Sequence, residues 1–249
     1  MAFLKDEVEV EVDVEDIVVE EESTTEETTE EAKDVTEEEK TESKTNYIIV
    51  PTGGPAAEAD VKIRVIGLVG DLDEEKASEI MYGMLALHKT GQKERLVEPD
   101  NPECIETEPY IEPFEFIIST HGGSASDMFG IYDLMRKMKS EGVEIQTYGL
   151  GKVMSAGVLL LASGSKGKRR IGANCRVMVH SVIGGSSGAI HNLENEMDEI
   201  RWIQEQYINR MVEETAMTKK YLMNLLKKKV NVYISAQEAV DLGIADEVI

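Results

Sequence analysis

The stretch VEIQTYGLGKVMSAGVLLLAS, residues 143–163, decides how this chain is read. Its opening, VEIQTYG, reads as a strand, and its close, SAGVLLLAS, is apolar enough to be a short buried helix. Between them lie five residues with one glycine, Gly151, and a small hydroxyl, Ser155, opens the second stretch at the junction of the two elements. The same alternation continues on both sides. KIRVIGLVG (62–70), FEFIIS (114–119) and RVMVHS (176–181) are strand-like. Helical spacing relates Ala77, Ile80, Met81, Met84 and Leu87, and again Met128, Ile131, Met135 and Met138. A longer stripe runs through Leu193, Met197, Ile200, Ile203, Tyr207 and Met211; it is too narrow to be buried all round, so its other face must meet solvent or a partner. Strands and helices alternating across short glycine-bearing turns predict a layered α/β domain over residues 46–249.

Charge separates that domain from what precedes it. The chain has 249 residues and a formal charge of -23, with 49 acids against 26 bases. Nineteen of those acids and only four of the bases fall in residues 1–45, leaving 30 acids against 22 bases for the rest. High like charge with little apolar surface cannot offset the entropy of ordering, so residues 1–45 are expected to be a disordered acidic tail. Neither a signal peptide nor a basic transit peptide fits such a start, and no run of about 18 apolar residues is present to span a membrane. The acidity gives no electrostatic reason to bind nucleic acid. Cys104 and Cys175 have neither CxxC spacing nor a paired histidine motif, so no metal or cofactor is expected and a reduced, cytoplasmic setting is. Residues 89–112 are polar and proline-rich and read as an exposed insertion.

Several motifs can be set aside. GLGKVMS has Val153 where a P-loop needs Ser or Thr, and Met154 where a dinucleotide fingerprint needs glycine. Val153 also occupies the first glycine position of a G-x-S-x-G elbow. Ser155 then has two readings. It could cap the following helix, for which serine is a preferred residue. It could instead be a nucleophile whose neighbouring N–H groups receive developing negative charge. HGGSASD (121–127) is a second strand-to-helix turn in which consecutive glycines let backbone approach a ligand, and His180 closes RVMVHS ahead of a glycine-rich run. The chain has four histidines, so a Ser–His pair has few choices.

In order, GGSASDMFGIYDLMRKMK, GKVMSAGVLLLASGSKGKRRIGANCRVMVHSVIGG and YISAQEAVDLGIADEV resemble the proteolytic subunit of the Clp protease, the ClpP family of serine peptidases. The resemblance runs from about residue 64 to 249, interrupted by 89–112. It implies a crotonase-like α/β fold with a protruding helical handle from about residue 190 to 215. It places the nucleophile on Ser155, the general base on His180 and the oxyanion-hole amides on Gly123 and Ala156. Extended substrate would pair by strand addition with Ser124 and Ala125 on one side and with Val182, Ile183 and Gly184 on the other. The third catalytic position, usually Asp, falls on Asn231. An amide can orient an imidazole but cannot offset imidazolium charge; in trypsin-like sites that exchange costs about 10⁴ in turnover, roughly 5 kcal/mol. His121 stands where the family usually has proline, and Val230 where bacterial members carry the arginine of a ring-to-ring charged pair. The implied activity is hydrolysis of unfolded polypeptides by stacked heptameric rings fed by an AAA+ unfoldase. A phage-type capsid-maturation protease, or an inactive subunit in a mixed ring with an active paralogue, are the alternatives.

Overall fold

A computed structural model of the protein describes residues 63–101, 103–227 and 231–249. The acidic tail and Val230 lie outside these residues. The elements that frame the site come first from three parallel strands. β1 (Val65–Val69) pairs with β4 (Phe114–Thr120), and β4 pairs with the ten-residue β5 (Ile145–Met154), all parallel. Phe114, Phe116, Ile118 and Thr120 alternate inward along β4 and are buried, the period-two pattern of a strand covered on one face more deeply than on the other.

Strand β5 serves two neighbours in succession. Thr147 to Gly149 pair with β6 (Arg169–Ile171), whereas Lys152 to Met154 pair with β7 (Arg176–Val179), both in parallel. β6 continues to β9 (Glu247–Val248), and β7 pairs antiparallel with β8 (Val232–Ile234). Among the described residues the main sheet is thus parallel except for the β7–β8 pair. The parallel strands require crossovers, and helices supply them. α1 (Glu74–Gly91) and α2 (Ala125–Ser140) bury their apolar stripes through Ala77, Ile80 and Met84, and through Met128, Ile131, Met135 and Met138. α3 (Ala156–Ala162) is buried at every residue, which explains why its sequence is apolar on all sides.

Segment 89–112 is more ordered than its composition suggests. α1 continues through Gly91, and β2 (Gln92–Leu96) and β3 (Thr107–Ile111) form a separate two-stranded antiparallel hairpin. Polarity and proline mark it as exposed, and exposed it is at most positions. The pairing is stabilised by cross-strand contacts, such as Arg95 with Glu108 and with the face of Tyr110, that composition does not register. RVMVHS ends as a strand at Val179, leaving His180 just beyond it.

The apolar stripe expected at 193–211 lies on α4 (Ile190–Glu214). Its C-terminal half is buried through Tyr207, Ile208 and Met211, while Ile190, Met197 and Trp202 nearer its start are exposed. The buried end is tied to the sheet by charge. Arg169 on β6 donates to the carbonyls of Ala162, Glu214 and Gly243 and to the carboxylate of Asp246. One guanidinium thereby joins the ends of α3 and α4 and the approach to β9, using the fork geometry that lysine lacks. Burial opposes ionisation of Asp246, but the hydrogen bonds and charge of Arg169 outweigh it and hold the carboxyl below its ordinary range. α5 (Lys219–Leu226) and α6 (Ala236–Asp241) complete the fold, the latter opened by a Ser235–Glu238 capping box. No helix among the described residues is long and apolar enough to cross a membrane.

Candidate active site

Three neighbouring parallel strands, β4, β5 and β7, end along the same edge of the sheet. Thr120, the last residue of β4, pairs with Val153, and Met154, the last of β5, pairs with Met178. The HGG turn, Ser155 and His180 are therefore delivered side by side. The carboxyl ends of parallel strands are where open α/β sheets present their ligand sites.

Ser155 is held in an uncommon backbone conformation, φ 53° and ψ -119°, and no other non-glycine residue among those described has positive φ. A residue so placed costs roughly 1–3 kcal/mol and persists only where its surroundings fix it. Here the Ser155 N–H donates to Met178 O at 2.8 Å, and the Ser155 carbonyl accepts from Val158 N–H at 3.0 Å. This twist also separates the two sequence readings of Ser155. Its side chain makes no capping hydrogen bond to α3; instead Oγ lies 2.7 Å from His180 Nε2. Burial lowers the His180 pKa from its ordinary value, so at neutral pH the imidazole is uncharged and Nε2 can accept the serine proton.

The two glycines beside the pair are required sterically. Gly122 has φ +110°, and a Cβ added there would sit 2.5 Å from Ser155 Cβ and 3.0 Å from its Oγ. Gly123 has φ +149°, and its Cβ would fall on the carbonyl of Leu72. That carbonyl accepts from Ser124 N–H, while Leu72 N–H donates to Gly122 O, so the turn is pinned on both sides. Neither the Gly123 N–H nor the Ala156 N–H donates a hydrogen bond to any described residue; Ala156 is the first residue of α3, where an amide has no acceptor within its own helix.

A cavity of about 380 Å³ opens in front of these groups. Of the expected substrate-binding residues, Ser124, Ala125, Val182 and Ile183 line it, and Ile183 is exposed. Ser124 also caps α2 by accepting from Asp127 N–H. Gly184 is not part of the wall; it packs against Ile200 of α4. Met128, Ile203 and Tyr207 make an apolar side of the cavity. Their helical spacing marked them in the sequence as core positions, and nothing in that spacing distinguishes a side chain that covers a core from one that walls a cleft.

Asn231 stands apart from the pair. It is exposed, and no described residue accepts a hydrogen bond from His180 Nδ1. The backbone nevertheless brings the two residues close. β7 and β8 pair Val177 with Ile234, Met178 with Tyr233 and Val179 with Val232; His180 and Asn231 are the next residues beyond that last pair.

Fold and site together define an α/β protein with a serine–histidine pair at the ends of parallel strands, beside two amides that donate to no described residue. The Clp protease family model matches residues 104–249, more than half of the chain. The chain belongs to the Clp protease family, a family of peptidases.

Proposed function

We propose that the protein is a serine endopeptidase that hydrolyses unfolded polypeptides through an acyl-enzyme. Ser155 Oγ attacks the scissile carbonyl as His180 Nε2 takes its proton; the carbonyl oxygen, now negative, lies against the Gly123 and Ala156 amides. His180 then returns the proton to the departing amine, and water, deprotonated by the same nitrogen, releases the acyl group. The observation that carries this reading is the 2.7 Å contact from a backbone-strained Ser155 to a neutral His180. Substrate enters as an added strand between Ser124–Ala125 and Val182–Ile183, reading main chain and tolerating many side chains. The exposed Ile190, Met197 and Trp202 on α4 support its use as a handle between copies in stacked heptameric rings, with an AAA+ unfoldase as the chaperone partner.

A fluorophosphonate should label Ser155 in the purified chain, and Ser155→Ala should abolish both labelling and peptide cleavage. Persistent labelling or cleavage in the alanine variant would exclude Ser155 as the nucleophile. A second reading, an inactive subunit that modulates an active paralogue, is favoured by the lack of a described acceptor at His180 Nδ1. Full peptidase activity of the protein alone would eliminate it.

A further inference from the structure

A second histidine faces the same cleft. His121, which precedes the two glycines, lines the cavity with Ser155 and His180. Its Nε2 lies 3.3 Å from Lys152 Nζ, and its Nδ1 lies 3.5 Å from Asp71 Oδ1. With the ammonium donating, Nε2 must be the acceptor, which places the ring proton on Nδ1 facing Asp71. The aspartate thus orients the ring, and the ring positions the lysine. Lys152 stands three residues before Ser155 on β5, half-buried.

Lys152 is distinguished by where it is held. No described carboxylate comes within 4.0 Å of its ammonium, as is also true of Lys76, Lys89, Lys220 and Lys227, but Lys152 contacts a residue that lines the cavity. Among the described residues the cavity wall carries no carboxylate either. An ammonium has three donors, and the contact with His121 occupies one. Asp71 lies on the far side of the imidazole.

We infer that Lys152, positioned by His121 and Asp71, is a subsite at the rim of the cleft that recognises a carboxylate of the bound peptide. This rests on the peptidase reading and gives it a preference that main-chain pairing alone would not. The carboxylate has two sources, an acidic side chain near the scissile bond or the free C-terminus of a short peptide. An exposed ion pair of this kind supports a preference of about fivefold.

The test uses binding, so that it does not depend on turnover. The full chain carrying Ser155→Ala is titrated, by fluorescence anisotropy, into end-blocked peptides that differ only by Glu or Gln at one position walked along the sequence. A further pair ends in a free carboxylate or an amide. One member of the set should bind about fivefold more tightly in its acidic form. That ratio should fall to unity with Lys152→Gln, survive Lys152→Arg, and vanish at about 1 M salt, where charges are screened beyond about 3 Å. The position that responds separates side chain from terminus. The inference is overturned if Lys152→Gln leaves every ratio unchanged, if it weakens acidic and neutral peptides equally, or if neither kind binds. Fluorophosphonate labelling of the unmodified chain reports the peptidase reading separately, so either can fail without the other.

Discussion

Replacing Gly122 by alanine tests whether the site depends on the geometry described. The new Cβ would stand 2.5 Å from Ser155 Cβ and 3.0 Å from Oγ, at a residue whose φ is +110°. Carbon atoms in contact need about 3.5 Å or more, so the serine must retreat by about 1 Å. Ser155 cannot do so freely, because its N–H is bonded to Met178 O and α3 behind it is buried throughout. A displacement of that size breaks a 2.7 Å contact with His180, and 1 Å of misplacement costs about 10² in rate. The second-order rate of fluorophosphonate labelling should accordingly fall about 100-fold. Backbone strain also lowers stability, so Gly142→Ala is the control: its φ is +89°, yet its Cβ meets nothing within 4 Å and it lies in the turn after α2. That variant should lose about 1 kcal/mol of stability and label normally. If Gly122→Ala stays folded and labels within twofold of the parent, Ser155 is not held as argued.

Other outcomes follow from the same structure. Because burial lowers the His180 pKa and only the neutral ring accepts a proton, kcat/KM should be flat through neutrality and fall on acidification with an apparent pKa below 6.5; a higher value would indicate an anionic partner. Asn231→Asp should supply such a partner from the residue just beyond the Val179–Val232 pair, raising turnover at least about tenfold and moving the acid limb upward, and an unchanged pH profile would show that residue 231 does not reach the ring. Asp246→Ala leaves the buried Arg169 without its carboxylate and should cost about 2–3 kcal/mol by urea denaturation near pH 7, reduced from the fully buried case because Asp246 is partly exposed. Since the Asp246 pKa is depressed in the fold, its contribution is present above the ordinary carboxylate range and is lost as pH falls through the folded value; the two denaturation curves should converge below about pH 4.

Much of the architecture was legible because its signals are local. Alternation along FEFIIS and helical spacing after Ser124 correspond to β4 and α2, and the apolar run after Ser155 corresponds to a helix buried on every side. What local signals omit is pairing. Nothing in the order of residues says that β5 changes neighbour between Gly149 and Lys152, and that change is what lays β7 beside Ser155. The pairing of the hairpin at 92–111 within the exposed insertion is illegible for the same reason, since it comes from contacts across the pair and composition registers only the polarity of each strand. Residue type alone favours capping by Ser155 over nucleophilic attack. The distinction lies in φ and ψ, which depend on what the flanking strand and helix demand of the chain.

Those demands account for how a site arises here. A strand leaving the sheet at Met154 must turn into α3 within one residue, because Ala156 is already helical and buried. The turn is tight enough to force positive φ on Ser155, and the same twist directs its side chain away from the helix amides that it would otherwise cap. The Ala156 N–H, the first amide of the helix, donates to no described residue and stands next to a hydroxyl oriented toward His180. The freed hydroxyl is a consequence of that backbone constraint, and a substitution that relaxed the turn would remove it. On this argument a change that lets Ser155 cap α3 should stabilise the fold while lowering reactivity, the pattern expected where strain is stored at a reactive residue.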